Sequence, residues 1–248
     1  MSSFTSMKVH MWRQDIMSAS ATQKETLGAL RVLADGRKFR YAKNGGVALQ
    51  AGDVLMSLAA VANHINQAPA ADVAIGATEV TVTVGATAVT ANQYAGGFLQ
   101  VNSGADALGH QYSITGNTAC DASGDTVVTL GEPIKVALAA ATHKVSLIYN
   151  PWTGLVVATG AAISPAGVAV CNVPISNYCW VQTGGVACVQ MDTTTAVGNM
   201  LFPDANGEAG DGPNATNGAV LAAGPVIGLA YATAGVADEC KPAILTLD

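Results

Sequence analysis

Between positions 31 and 43, basic and aromatic side chains interleave: Arg31, then Arg37, Lys38, Phe39, Arg40, Tyr41 and Lys43. Cations spaced by rings suit a partner that carries negative charge, because the charges attract it and the rings give it an apolar face to pack on. The segment holds no nucleophile beside a base and no pair of carboxylates. The chemistry it offers is therefore binding, not bond breaking.

Other chemistry-bearing residues are scattered. The chain contains no HExxH, no GxSxG, no GxGxxG after a strand and no phosphate loop ending in Gly-Lys-Ser/Thr. His10, His64, His110 and His143 stand far apart in sequence, and an isolated histidine is more often structural than catalytic. Five cysteines, Cys120, Cys171, Cys179, Cys188 and Cys240, form no CxxC pair. They are expected to be free thiols packed as small hydrophobes. Asp204, Asn206, Glu208 and Asp211 place oxygens in one loop, as a hard cation would need. The positions that an EF-hand gives to Asp or Asn and then Gly hold Glu208 and Ala209, so the loop reads as a solvated turn. Asn214-Ala215-Thr216 is a glycosylation sequon only in a secreted chain. Trp152, Tyr178 and Trp180 are the rings that a sugar could stack on, with Trp180 expected in a core. The sequence calls for no catalytic residue, no metal and no cofactor.

The interleaved segment needs a scaffold. Residues 27–43, LGALRVLADGRKFRYAK, predict a β-hairpin with Asp35-Gly36 at the turn. Leu30 and Val32 alternate before it, and Phe39 and Tyr41 after it. Ahead lies a polar arm, with a short helical piece expected around 7–19. DVLMSLAAVANHIN at 53–66 is the best helix candidate, because Leu55, Leu58, Ala59, Ala62 and Ile65 share one face, although its valines also allow an extended stretch. From residue 72 the period changes to two. EVTVTV at 79–84 alternates Val with Thr or Glu, and further strands are expected at 97–101, 111–115, 126–130, 144–149 and 155–158. YCWVQTGGVACVQM at 178–191 predicts a second hairpin turning at Gly184-Gly185. That pairing sets Cys179 and Cys188 diagonally, about 7–8 Å apart, beyond easy disulfide reach. Gly167-Val168-Ala169 and Gly228-Leu229-Ala230 recur at an offset of 61, each ahead of an apolar strand, as two similar β layers would.

The fold class expected is all-β: two sandwich- or barrel-like units preceded by an extended basic N-terminal arm and hairpin. The expected boundaries are 1–52 for arm and hairpin, 53–160 for the first β domain and 161–248 for the second.

Charge and composition narrow the partner. Residues 1–43 hold eight of the eleven basic residues and three of the seventeen acidic ones, a balance of +5; the rest holds three basic and fourteen acidic, −11. A basic leader on an acidic body has an acidic surface to meet: its own body, a second copy or another protein. Nucleic acid is disfavoured, since the body would repel phosphate. Charged residues are 11% of the 248-residue chain, against about 25% in ordinary soluble domains. Mean hydropathy is +0.35, but no run of about 20 apolar residues offers a spanning helix. The apolar count comes from Ala and Val. So little charge implies surface covered by other subunits. Residues 1–20 lack an apolar signal region, so an intracellular, reducing site of synthesis is expected.

Several segments together resemble structural proteins of tailed-bacteriophage heads. They are LGALRVLADGRKFRYAKNGG, NQYAGGFLQVNSG at 92–104, VSLIYNPWTGLVV at 145–157, NYCWVQTGGVACV at 177–189, and the closing GPVIGLAYATAG and AILTL. The chain departs from that pattern in its cysteines and at 104–110, where GADALGH replaces a more acidic turn. The resemblance implies a head decoration, or cement, protein. Such a protein is a β-rich, self-associating and often trimeric virion component, made in the host cytoplasm, that binds the major capsid protein on the outer head. In that role Arg31, Arg37, Lys38, Arg40 and Lys43 would contact an acidic capsid face with Phe39 and Tyr41 as apolar anchors, and residues 1–43 could be removed without unfolding the body. The alternative is a receptor- or carbohydrate-binding virion module.

Overall fold

The computed structural model describes residues 11–159, 164–192, 195–211, 225–232 and 239–248. All regular elements among them are strands or single turns of 3-10 helix, so the all-β class holds and no described helix could cross a membrane. The chain forms two units: Met1–Met56 with Gly154–Asp248, and Ser57–Thr153. In chain order, the first unit opens with β1 (Leu30–Val32), β2 (Lys38–Lys43) and β3 (Val54–Met56). The second unit contains β4 (Glu79–Thr83), β5 (Phe98–Ser103), β6 (Gln111–Asn117), β7 (Asp125–Leu130) and β8 (Lys144–Ile148). The chain returns to the first unit with β9 (Val156–Val157), β10 (Pro165–Ala169), β11 (Tyr178–Met191), β12 (Met200–Pro203), β13 (Ala209–Asp211), β14 (Gly228–Ala230) and β15 (Glu239–Thr246).

The first unit is organised on β11, 14 residues long. Its first half pairs antiparallel with β2, Tyr178 opposite Lys43 through Gly184 opposite Lys38, and with β10 at Val181 and Gln182. Its second half pairs with β15, from Gly184 opposite Thr246 to Met191 opposite Glu239. β11, β15, β14, β12 and β13 bond in sequence, and β13 returns to β11 at Met191, which closes a five-stranded barrel. Val189, Met191, Leu201, Ile227, Ala243 and Leu245 belong to its buried cluster. The two Gly-x-Ala repeats fall on β10 and β14, and each pairs antiparallel with the strand that follows it.

The Gly184-Gly185 hairpin is corrected: β11 runs straight through it. The register with β2 shifts between Gln182 and Gly184, and Gly185 takes φ +78, which only glycine adopts without strain. The pair forms a bulge at which β2 ends on one edge of β11 while β15 takes over from β10 on the other. Eight pairings to β15 outweigh the few that folding back on itself would give. Cys179 and Cys188 therefore lie on one strand and cannot face each other across a turn.

Of the two readings of 53–66, the extended one holds at its start: β3 pairs with β10 and β9 on its edges, Val54 and Met56 enter the buried cluster on one face, and Leu55 is buried on the other. A strand covered on both faces shows no alternation, so its apolar run mimics a helix face. Beyond it comes only one 3-10 turn, Ala62–His64, and the division between units falls inside the expected helix.

The 27–43 hairpin forms as expected, with Leu30 opposite Arg40, Arg31 opposite Phe39 and Val32 opposite Lys38. It is not a separate leader, since β2 is a full partner of β11. The division at 52/53 and 160/161 gives way to 56/57 and 153/154. Residues 11–26 are tied down as well. Trp12 packs edge-on against Trp180 at 5.0 Å, and Ser20 bridges Tyr178. The buried Gln14 side chain donates to the Ser18 and Tyr178 carbonyls and accepts the Tyr41 hydroxyl at 2.7 Å. No helical turn forms at 11–19; residues 7–10 of the expected piece, with His10, lie outside the described residues.

The second unit is a sheet in the order β4-β7-β6-β5-β8, and all its strands lie where period two placed them. Val80, Val82 and Val84 point inward with Leu99, Ile114, Leu138 and Leu147. Its two edges do not stay open. Gln67 exchanges both backbone bonds with Val145 of β8, while the Ala70 amide donates to Thr81 and the Thr83 amide to Ala68, both bonds joining β4. Residues 67–70 thus bridge β8 and β4 at isolated points, which blunts the two outer edges of the sheet there.

Phe39 and Trp180 are wholly buried in one aromatic cluster. Phe39→Ala and Trp180→Ala are each expected to cost about 3–5 kcal/mol, read as a lower denaturation midpoint. Deletion of residues 1–43 removes Phe39, Tyr41 and a strand of the sheet. It should abolish the cooperative unfolding transition of the first unit, contrary to a removable leader. A truncated chain that keeps the full Trp180 fluorescence transition would reinstate the independent arm.

Candidate functional site

The hairpin's two faces separate the seven candidate residues. Phe39 and Tyr41 point inward and are completely buried. Tyr41 lies 5.1 Å edge-on from Trp180, accepts the Lys24 amide, and has its hydroxyl pKa raised by burial. Neither ring can anchor a partner. Arg31, opposite Phe39, shares that face: its guanidinium lies 5.7 Å from Trp12 and 5.8 Å from Trp180, and donates to the Gln14 carbonyl. It is a cation held in an aromatic slot of its own unit.

The outward face carries Lys38 and Arg40, with Leu30 and Val32 beside them on β1. Arg40 donates from Nε and Nη2 to the two Asp248 carboxylate oxygens, at 2.8 and 2.9 Å. Lys38 donates to the Asp248 backbone oxygen at 2.9 Å. Arg37 pairs with Asp35 across the turn at 2.7 Å, and Lys43 lies 5.5 Å from the Tyr178 ring. The acidic surface that the basic leader meets thus includes its own body, at Asp248. What remains turned to solvent is apolar: Leu30 is 41% and Val32 55% exposed. The sequence placed the apolar anchors on β2. The structure places them on β1, because Phe39 and Tyr41 complete the Trp180 cluster. Only the exposure of a short edge strand, which no residue pattern marks, distinguishes the two.

The remaining candidates are not brought together. His64 is buried, with Nδ1 at 2.5 Å from the Tyr94 hydroxyl and Nε2 at 2.9 Å from the Thr87 carbonyl. His110 meets Tyr112. His143 is buried with one ring nitrogen bonded and the other, Nε2, without a partner. All five cysteines are free. Cys179 is a buried core residue whose thiol pKa is pushed up to about 12, first by burial. Cys188 and Cys240 are exposed on β11 and β15, contrary to the packed thiols expected; the Cys240 thiol is raised to about 11 by burial and by neighbouring Cys188. Asp204 and Glu208 flank a tight turn in which the Asp204 amide donates to the Glu208 carbonyl. Among the described residues no three His, Cys, Asp or Glu gather as metal ligands. The Asp211 side chain and Asn214-Ala215-Thr216 lie outside the described residues. Trp180 is core and Tyr178 is stacked on Tyr41 at 6.1 Å, while Trp152 belongs to the other unit.

An all-β protein with an internally neutralised cationic hairpin is the class these features define. Comparison with known proteins finds no family model, no curated protein and no solved structure that matches the chain.

The Arg40 bonds hold the Asp248 carboxyl below the ordinary aspartate range, and the same carboxylate raises Arg40. A depressed carboxyl contributes stability above its unfolded pKa and loses it as pH falls through the folded value. Asp248→Asn is expected to cost about 1 kcal/mol or less at neutral pH, since both groups are partly exposed. That gap from wild type should close below about pH 4. Urea denaturation along a pH series checks this; a gap that persists unchanged in acid would mean that the pair's charge contributes nothing.

Proposed function

We propose that the chain is a non-enzymatic structural protein of a tailed-bacteriophage virion. In this reading it is a head decoration protein that binds the major capsid protein, self-associates as a homotrimer and stabilises contacts between capsid subunits. The observation that carries the reading is the outer face of the hairpin. There Leu30 and Val32 stand exposed on an edge strand, next to cations that the protein has already neutralised. Edge strands with exposed apolar side chains are a liability unless a partner covers them. With β1 paired only to β2 among the described residues, strand addition by a second chain would satisfy its free edge. The sparse charge of the whole chain supports the same reading, because interface cores are depleted in charge. The contact is then apolar and backbone-mediated more than ionic, which revises the cation-led docking expected from sequence.

Purified particles should contain the protein in hundreds of copies; a handful per particle would instead indicate a connector or tail component. Leu30→Asp combined with Val32→Asp should weaken rebinding to stripped particles by tenfold or more while the melting temperature stays near wild type. Added salt should weaken wild-type rebinding only slightly. Rebinding that ignores the double substitution and collapses in salt would overturn the apolar docking face.

A further inference from the structure

The two faces of the β11–β15 ladder differ. Ala187, Val189, Met191, Ala243 and Leu245 point into the barrel. Alternation therefore turns Val186, Cys188 and Gln190 outward on β11, and Cys240, Pro242 and Ile244 outward on β15. Cys188 stands opposite Pro242, and Cys240 opposite Gln190. The two cysteines are thus diagonal neighbours on one outward face, and both are exposed.

Diagonal backbones lie about 7–8 Å apart in a regular ladder, and a disulfide usually spans no more than about 6.8 Å between Cα atoms. The Cys240 side chain is directed to close that gap. Gly52 borders β11 on the edge away from β15, where its carbonyl accepts the Gln190 amide at 3.0 Å. The Cys240 Sγ leans across β11 toward it and lies 3.9 Å from the Ala51 carbonyl oxygen. A Cβ on Gly52 would stand 2.5 Å from that sulfur, so the glycine leaves the thiol its room. There the Cys240 thiol is in hydrogen-bonding contact with the Cys188 thiol. Burial first, and then that contact, hold the Cys240 proton well above neutral pH.

We infer that Cys188 and Cys240 are an oxidative modification site, a dithiol that closes to a reversible disulfide between β11 and β15. The oxidant is a low-molecular-weight disulfide of the glutathione type. Cys240 keeps its proton at neutral pH, so Cys188 attacks first. Its sulfur bonds to one glutathione sulfur, and the other glutathione leaves as a thiolate that takes up the Cys188 proton. Cys240 then gives up its proton and attacks the Cys188 sulfur. The Cys188–glutathione bond breaks, and the second glutathione leaves with that proton. The two cysteines have lost two electrons and two protons, and glutathione disulfide has gained them. Since the diagonal span exceeds the usual one, the bridge is strained, and strained, exposed disulfides are the ones that thiols reopen most readily. The loop it closes contains β12, β13 and β14, so oxidation ties together the strands that complete the barrel. The inference does not depend on the virion reading.

Equilibrating the whole native protein with excess glutathione disulfide, alkylating the remaining thiols and mapping the peptides by mass spectrometry tests the inference. Cys188 should be recovered bridged to Cys240 within one chain, with Cys120, Cys171 and Cys179 alkylated. Excess reduced glutathione should then restore all five free thiols. Cys240→Ser should stop the reaction at a glutathione adduct on Cys188. Cys188→Ser should leave Cys240 to react about tenfold more slowly than Cys188 does in the wild type. The wild-type map decides the matter by itself should either variant fold poorly. Cys188 and Cys240 both left alkylated, a lasting glutathione adduct on wild-type Cys188, or a bridge between other cysteines or between two chains overturns the site. So does a Cys188–Cys240 bridge that excess reduced glutathione leaves closed.

Discussion

A single backbone requirement governs the first unit: β11 must satisfy the hydrogen-bonding groups of 14 consecutive residues on both of its edges. No single partner strand among the described residues is long enough. β10 and then β15 line one edge, β2 lines the first half of the other, and Gly184-Gly185 is where β2 ends and β15 begins. Once β2 is committed to that edge, the hairpin's orientation is fixed. The residues that alternate toward β11's covered face enter the core and the others leave it. Trp180 sets the depth of that core, and Trp12, Tyr41 and Phe39 fill the space around it. The separation of the basic residues into a buried set and an exposed set follows from this register.

The same register decides what the leader's charge can do. Arg31 is directed inward, where two indole faces and the Gln14 carbonyl take the place of water. Lys38 and Arg40 are directed outward within reach of Asp248, which two adjacent cations then hold. A net imbalance of +5 in the leader suggested long-range attraction to a separate body. At close range much of it is spent on short contacts within one unit. Screening by salt falls mainly on exposed charges more than a Debye length apart, about 8 Å at physiological ionic strength. Contacts of 2.8–2.9 Å at partly buried side chains are therefore local anchors more than a steering field.

Sequence legibility tracked burial on one face or two. The strands at 79–148 were readable because each has a covered and an open side, so Val and Thr alternate in EVTVT and glycines mark the ends. The 27–43 hairpin was readable from Asp35-Gly36, whose turn is local. β3 was left undecided: both of its faces are covered, all three residues are apolar, and the run fits a helical wheel as well as a strand. Gly184-Gly185 was misread because the dipeptide permits a turn and a bulge alike, and the choice rests on β15, more than fifty residues downstream. The candidate residues failed for a related reason. Alternation correctly assigned Phe39 and Tyr41 to one face, but sequence holds no sign for which face is inside when both carry apolar and basic side chains.

The second unit's outer strands are tied by one short connector: residues 67–70 bond to β8 at Gln67 and to β4 at Ala68 and Ala70. The connector blunts both edges at those points. In the first unit the reverse holds: its barrel closes through β13 and β11, but β1 remains a short open edge with apolar side chains outward. The two units thus solve the edge problem differently. One ties its outer strands together through a short connector; the other keeps β1 as an open edge among the described residues.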